Sequence, residues 1–117
     1  MTATIYGIPN CDTVRKARRF LDQHQVDYDF HDVREQPLPA ETLNQWLQQF
    51  DRDTLVNKRS TSWRQLSDKE RALADDGVAI ELLQRYPTLM KRPVLTVDEH
   101  IAVGFNEAQW RQVVGLS

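Results

Sequence analysis

The chain has 117 residues, the length of one typical domain, and its 40% hydrophobic and 27% charged residues are the composition of a globular protein with its own core. The net charge of −2 gives no overall attraction to nucleic acid or to an anionic membrane. No apolar run approaches the roughly 20 residues of a membrane-spanning helix. The single cysteine excludes an internal disulfide and a zinc site built from several thiolates. Without a basic and apolar leader, we expect a cytoplasmic monomer whose thiol stays reduced.

The first thirty residues have the pattern of a strand, a helix and a second strand. The β-branched and aromatic residues of Thr2–Tyr6 predict the first strand. Asn10 is the expected N-cap of a helix that runs to about His24. The apolar face of this helix consists of Val14, Ala17, Phe20 and Leu21. A second strand is predicted where apolar and acidic residues alternate, at Val26, Tyr28 and Phe30. This order is typical of a βαβ unit.

The middle of the chain is predicted to be helical. Pro39 suits the first turn of a helix whose apolar stripe consists of Leu43, Trp46, Leu47 and Phe50. Ser67 and Glu70 have the spacing of a capping box, which predicts a helix to about Ala74. Asp75 or Asp76 is the expected cap of a further helix from about Val78 to Arg85.

The last part of the chain predicts a hairpin and a helix. Val94–Val97 and Ile101–Val103 have strand patterns, and Asp98-Glu99 between them is a turn. Asn106 is the expected cap of a last helix, which ends before Gly115. The apolar residues of this helix are Ala108, Trp110, Val113 and Val114. The whole order predicts an α/β protein with a small mixed sheet, in which the central helices form an insertion.

Cys11 lies where the first strand has ended and the first helix begins, between polar residues. The free N–H groups of a helix start would point toward its sulfur, and such surroundings lower a thiol pKa from about 8.5 to about 3.5–7.5. Arg15 could add positive charge and Thr13 a hydrogen bond, whereas the carboxylate of Asp12 would oppose ionisation unless it caps the helix. The alternative is a small structural cysteine, for which apolar neighbours would be typical. We therefore expect a reactive thiol.

Two basic segments are candidate anion sites. A guanidinium such as that of Arg92 suits bidentate binding of an oxyanion or carboxylate, although Pro93 after it could also be only the start of a strand. Lys58 and Arg59 lie in residues 57–63, which have few apolar residues and are also typical of a solvated loop. The three histidines have no spacing typical of metal ligands, so that no metal site is expected.

Several stretches together resemble the arsenate reductase (ArsC) family, which includes the Spx regulators, and in particular its YffB-like branch. They are Y-G-I-P-N-C-D-T-V-R-K-A, L-V-N-K-R-S-T-S-W-R-Q-L, L-L-Q-R-Y-P-T-L-M-K-R-P-V-L-T and the closing hairpin, within about residues 3–114. The resemblance implies one domain, residues 1–117, with a thioredoxin-like fold and a helical insertion. It implies that Cys11 is the reactive thiol, that Pro93 is a cis-proline facing it and that Arg92 contacts a bound oxyanion. No bound metal or organic cofactor is implied, and glutathione or glutaredoxin would be the reductant.

The chain also departs from the family pattern. Arsenate reductases have a histidine at the position of Gly7, and their middle arginine falls near Asn57. Their third arginine falls at Gly104 or Phe105, so that only Arg92 stands at the position of one of the three family arginines. Spx regulators often have a C-x-x-C switch, and Val14 stands at the place of its second cysteine. A dithiol switch within this chain is therefore excluded.

The function that we expect is a glutathione-dependent thiol reductase that forms a mixed disulfide with glutathione at its catalytic Cys11. The residues expected to bind substrate or glutathione are Asn10, Asp12, Thr13, Arg15, Arg59, Arg92 and Pro93. One alternative is an arsenate reductase that uses glutathione and glutaredoxin. The other is an adaptor that binds a protein partner such as RNA polymerase, as Spx regulators do. Binding to nucleic acid or to a membrane is not expected.

Overall fold

The computed structural model describes residues 2–50, 52–75 and 79–116. The chain divides into two compact units. The first, which we call the sheet unit, consists of Met1–Val33 and Arg92–Ser117. The second, the helical unit, consists of Arg34–Lys91 and corresponds to the predicted helical insertion. The prediction of a single domain over residues 1–117 stays a prediction.

The sheet unit contains a four-stranded mixed sheet. Its strands are β1 (Ala3–Gly7), β2 (Asp29–Asp32), β3 (Val94–Val97) and β4 (His100–Val103). The strand order is β2-β1-β3-β4, with β2 parallel to β1 and with β3 antiparallel to both of its neighbours. A βαβ unit followed by a hairpin and a helix is the thioredoxin-like arrangement, and the predicted fold class is confirmed.

Two helices complete the core of the sheet unit, α1 (Asp12–Gln23) and, at the C-terminal end, α7 (Glu107–Val113). The four predicted apolar residues of α1 are all buried, because their spacing places them on one face. On α7, Trp110 is completely buried, and its Nε1 donates a hydrogen bond to the carbonyl oxygen of Gly104 at 3.0 Å. The prediction that Ala108 belongs to the apolar face is wrong, since this residue is exposed. The core cluster comprises Ala3, Ile5, Ala17, Phe20, Leu21, Leu95, Val97, Ala102, Trp110 and Val114.

Strand β2 is shorter than its sequence pattern suggested. The chain leaves α1 through Gln25, which has a positive φ of 56°, and pairing with β1 begins only at Asp29. The aromatic residues of this segment, Tyr28 and Phe30, pack against Arg18 of α1. The guanidinium carbon of Arg18 lies 4.3 Å from the ring centroid of Phe30, and its Nε donates to the hydroxyl of Tyr28 at 3.2 Å. These contacts of Arg18 explain how two aromatic side chains are accommodated at an outer strand of the sheet.

The helical unit contains five short helices and a turn of 3₁₀ helix within the described residues. They are α2 (Ala40–Gln49), α3 (Arg52–Leu55), α4 (Thr61–Arg64), α5 (Asp68–Asp75), α6 (Ala79–Arg85) and the 3₁₀ turn Pro87–Leu89. Helix α4 was not predicted and lies in the segment that has the pattern of a solvated loop. It forms because the hydroxyl oxygen of Ser60 accepts the N–H of Trp63 and so caps the first turn. The predicted cap at Asp76 and start at Val78 lie outside the described residues.

The predicted capping box of α5 is confirmed. The backbone N–H of Ser67 donates to Glu70 Oε1 at 3.0 Å, and the N–H of Glu70 donates to Ser67 Oγ at 3.1 Å. The second carboxylate oxygen of Glu70 accepts a hydrogen bond from the hydroxyl of Tyr86 at 2.7 Å. The Ser67 N–H and then this hydroxyl lower the pKa of Glu70, and the same carboxylate raises the pKa of Tyr86. One glutamate therefore connects the start of α5 to the residue that follows α6.

Candidate functional site

Cys11 is the N-cap residue of α1. Its backbone is extended, with φ −109° and ψ 126°, and its carbonyl oxygen accepts the N–H of Arg15 at 2.9 Å. The prediction of Asn10 as the N-cap is therefore wrong, because the chain turns through Pro9 and Asn10 and is still extended at Cys11. The thiol is partly exposed and makes no capping hydrogen bond to the helix. It thus lies immediately before the first-turn N–H groups, which have no acceptor within the helix.

The charged residues beside Cys11 interact with each other. Arg15 Nη1 lies 3.0 Å from Asp12 Oδ1, and the side chains are 56% and 90% exposed. The carboxylate of Asp12 is thus engaged by Arg15 and does not serve as the helix cap, and the positive charge of Arg15 is largely offset. Asn10 and Thr13 are exposed next to Cys11. Cys11 therefore lies between the start of a helix and an ion pair whose two charges offset each other.

Gly7 and Val14 lie in close contact, which the sequence did not indicate. A methyl group on Gly7 would be 2.8 Å from Cγ2 of Val14. Both residues are buried, and the contact joins the end of β1 to the first turn of α1. These are two of the positions at which the chain departs from the family pattern. A side chain at position 7 would therefore meet the first turn of α1, whose N-cap is Cys11.

Pro93 lies at the same end of the sheet as Cys11. Tyr6 pairs with Val94, and β1 ends at Gly7, so that Pro93 comes beside the end of β1. The Arg92–Pro93 peptide bond is cis. The carbonyl oxygen of Pro93 accepts the N–H of Gly104 at 2.8 Å. Cys11, Pro93 and Arg92 thus belong to neighbouring segments of one unit.

Arg92 is partly buried beside this proline. The residue has interaction partners, but its Nε is enclosed and makes no hydrogen bond to any described residue. A guanidinium at the end of a strand is a suitable ligand for a carboxylate or an oxyanion. Its assignment as a substrate-binding residue stays a prediction.

Arg59 belongs to the helical unit. With Val56, Asn57, Lys58 and Lys91, it lines a pocket of about 530 Å³. Lys91 was not among the predicted site residues, because more than thirty positions of sequence separate it from Arg59. The prediction that Arg59 binds glutathione stays a prediction. Among the described residues there is no cluster of His, Cys, Asp and Glu that could hold a metal ion, nor a helix long and apolar enough to cross a membrane.

Comparison with known protein families and sequences gives related proteins over nearly the whole chain. The model of the ArsC family matches residues 6–113. An uncharacterised protein of Haemophilus influenzae is 43% identical over 108 residues, which cover 92% of this chain and 95% of that protein. The global transcriptional regulator Spx of Streptococcus pyogenes is 30% identical over 110 residues, which cover 92% of this chain and 81% of the regulator.

Two solved structures are similar to the chain. A protein called YFFB is 37% identical and has a TM-score of 0.90, with 96% of this chain and 98% of that chain covered. An arsenate reductase (ArsC) related protein from Brucella melitensis is 43% identical and has a TM-score of 0.75, with 96% and 93% covered. The resemblance to this family and to its YffB-like branch, first indicated by short motifs, is confirmed.

Proposed function

The chain belongs to the ArsC family, and from this membership and the position of Cys11 we propose that it is a glutathione-dependent thiol oxidoreductase. Its substrate in this proposal is a mixed disulfide between glutathione and another thiol. The observation that carries the proposal is the partly exposed Cys11 at the N-cap of α1, at the end of the sheet where Pro93 and Arg92 also lie.

The proposed reaction uses one protein thiol and two glutathione units. The thiolate of Cys11 attacks the glutathione sulfur of the substrate disulfide, which breaks the sulfur–sulfur bond and releases the other thiol. The resulting disulfide between Cys11 and glutathione is attacked by a second glutathione thiolate. That step releases oxidised glutathione and restores Cys11. The chain contains one cysteine, so that the second thiol must come from another molecule.

Residues around Cys11 have separate roles in this proposal. The helix amides stabilise negative charge on the sulfur. The carbonyl of Pro93 keeps a second lone pair besides the one that accepts Gly104 N–H, and this lone pair can accept an N–H of the glutathione backbone. Arg92 binds a glutathione carboxylate, while Asn10 and Thr13 offer polar contacts at the exposed rim.

Incubation with oxidised glutathione, followed by mass spectrometry of the intact protein and of its peptides, tests the proposal. We expect one glutathionyl group per chain, located at Cys11, and its removal by reduced glutathione. The Cys11→Ser variant should acquire none. If Cys11 stays unmodified under conditions that modify a small free thiol, the proposed chemistry is wrong.

The similarity to an Spx regulator favours a second function, an adaptor that binds a protein of the transcription machinery. Such binding would not need the thiol. RNA polymerase is the partner to test, by pull-down with the wild-type protein and with Cys11→Ser. Equal recovery of the polymerase with both proteins would favour the adaptor over catalysis.

The similarity to an arsenate reductase related protein favours a third function, arsenate reduction. Cys11 would displace an oxygen of arsenate and form a thiol–arsenate adduct. A glutathione thiolate would then attack the Cys11 sulfur and break the sulfur–arsenic bond, so that the two sulfurs together supply the two electrons that convert arsenate to arsenite. The same mixed disulfide between Cys11 and glutathione would remain for glutaredoxin to reduce. Since only Arg92 of three family arginines carries over, we expect this activity to be weak. Turnover of arsenate with glutathione and glutaredoxin at no more than the rate of Cys11→Ser would exclude it.

A further inference from the structure

The pocket of the helical unit has a strongly positive lining. Three of its five lining residues are Lys58, Arg59 and Lys91, and no acidic residue is among the described residues that line it. The chain as a whole has a net charge of −2, so this concentration of cations is not part of a generally basic surface. A cleft lined by one sign of charge raises the local concentration of ions of the opposite sign.

The backbone holds the two walls of this pocket together. Val56 and Met90 form an isolated antiparallel bridge. On either side of it, the N–H of Asn57 donates to the carbonyl of Leu89, and the N–H of Lys91 donates to the carbonyl of Leu55, both at 2.7 Å. The basic residues at 58, 59 and 91 are therefore brought to one place by regular backbone pairing.

The turn that carries two of the cations is also fixed. The side-chain oxygen of Asn57 accepts the N–H of Arg59 at 3.0 Å, and the Ser60 hydroxyl donates to the carbonyl of Asn57 at 2.7 Å. Lys58 Nζ lies 5.6 Å from the ring centroid of Trp63. A pocket with its backbone already in place loses less conformational entropy when a ligand binds.

Among the residues that the structure describes, no acidic side chain pairs with Arg59 or Lys91. Both residues are exposed, and within the described ranges neither side chain makes a hydrogen bond or an ion pair. Like charges held around one pocket repel each other, and an anion between them would relieve this repulsion. The guanidinium can bind a carboxylate or phosphate through two parallel hydrogen bonds, and the ammonium groups act as point charges.

We propose that this pocket binds a small organic anion with at least two negative charges, either a polycarboxylate or a phosphate ester. Its volume of about 530 Å³ lies in the range of about 300–1,000 Å³ that is typical of small-molecule sites, and it exceeds what one inorganic ion needs. All lining residues lie in the helical unit, and the binding does not depend on the thiol chemistry proposed above.

Titration of the isotope-labelled full chain, followed by NMR at low ionic strength, tests the inference. The probes are citrate for carboxylates, glucose 6-phosphate for phosphate esters and acetate as a singly charged control. We expect saturable shifts at the amides of residues 57–60 and 91 with citrate or with glucose 6-phosphate, and at least about tenfold weaker binding of acetate. The probe that binds more tightly, citrate or glucose 6-phosphate, identifies the preferred anionic group as carboxylate or phosphate. Added salt should weaken the binding.

Matched variants separate this pocket from a general charge effect. Arg59→Gln and Lys91→Gln should each weaken binding by about three- to tenfold. Arg19→Gln and Lys69→Gln remove the same charges from exposed positions outside the pocket and should leave the affinity unchanged. Cys11→Ser should also bind as the wild type does, so that failure of the thiol chemistry and failure of this site are distinguishable. Equal weakening by the control variants, or saturation by neither citrate nor glucose 6-phosphate, would overturn the inference.

Discussion

Asp12 and Arg15 form an ion pair of 3.0 Å across the first turn of α1, directly after Cys11. The pair removes an ambiguity in the sequence, where one residue favours and the other opposes a negative charge on the sulfur. Because the two side chains offset each other, neither alone sets the potential at the thiol, which lies at the start of α1. Changing either residue alone should therefore alter the reactivity of Cys11, in opposite directions.

The first prediction concerns the rate at which Cys11 reacts with iodoacetamide at a fixed neutral pH. In Arg15→Gln, the carboxylate of Asp12 lacks its partner and disfavours the reactive thiolate, so that the rate should fall by about two- to threefold. In Asp12→Asn, the freed guanidinium should raise the rate by a similar factor. Both effects are small because the pair is exposed and screened by salt.

Two substitutions later in the same helix serve as controls for this prediction. Arg19→Gln and Asp22→Asn make the same charge changes at exposed positions farther along α1. Their rates should stay close to that of the wild type. If the controls change the rate as much as the test variants, the effect comes from net charge and the local pair has no special role.

The second prediction concerns Gly7. Its replacement by alanine should lower the free energy of unfolding by about 1–3 kcal/mol, since the new methyl group would lie 2.8 Å from the stiff side chain of Val14. Urea unfolding measures this change. The matched variant is Gly7→Ala combined with Val14→Ala, which provides space for the methyl group. The double variant should lose clearly less than the sum of the two single changes; additive losses would show that the contact is not responsible.

The third prediction concerns the indole of Trp110. Phenylalanine at this position would leave the carbonyl of Gly104 without its buried donor and would fill less volume. We expect a loss of about 2–3 kcal/mol in the free energy of unfolding. Trp63→Phe is the control, because Trp63 is only partly buried, and it should cost less than about 1 kcal/mol. Similar losses in both variants would contradict a specific role of the hydrogen bond.

The fourth prediction concerns pH and Glu70. The folded protein lowers the pKa of this carboxyl from its ordinary value of 4.5, first through the Ser67 N–H and then through the Tyr86 hydroxyl. Its contribution to stability is therefore present above pH 4.5 and is lost as the pH falls through the lower folded pKa. Glu70→Gln should lose less stability than the wild type between neutral and acidic pH, as measured by urea unfolding. Asp68→Asn is the exposed control and should follow the wild type.

The same contact has an alkaline counterpart. Glu70 raises the pKa of the Tyr86 hydroxyl from its ordinary value of 10.0. The stability that this group contributes is present below pH 10.0 and is lost as the pH rises through the higher folded pKa. Tyr86→Phe should be less stable than the wild type at neutral pH and should lack this alkaline loss. A wild-type and a Tyr86→Phe profile that stay parallel throughout would contradict the contact.

Local patterns in the sequence predict the elements that depend on near neighbours. The apolar spacing of α1, the capping box at Ser67 and the cap at Asn106, whose oxygen accepts Gln109 N–H at 3.0 Å, are such cases. A cap preference is worth about 1 kcal/mol, and a tertiary contact can override it. Asn10 is the expected cap, but the chain is still extended at Cys11, which is the N-cap, and α1 begins at Asp12.

Features that join distant parts of the sequence could not be predicted. Lys91 comes beside Lys58 and Arg59 through the bridge between Val56 and Met90, and no spacing rule indicates that pairing. The ion pair of Asp12 with Arg15 could not be predicted either, since an aspartate in a first turn can cap amides, interact with a cation or face solvent. The type of chemistry at Cys11 could be proposed from the sequence, whereas the arrangement of charged groups around Cys11 became known only from the side-chain geometry.

The outer strands of the described sheet bear on how the molecule behaves at high concentration. Both β2 and β4 have four residues; β2 begins and ends with aspartate, and β4 begins with His100. Exposed strand edges invite polymerisation between copies, and short edges with ionisable groups resist it. Native molecules should therefore stay dispersed in crowded solution, and any fibrous deposit should arise from chains that have first unfolded.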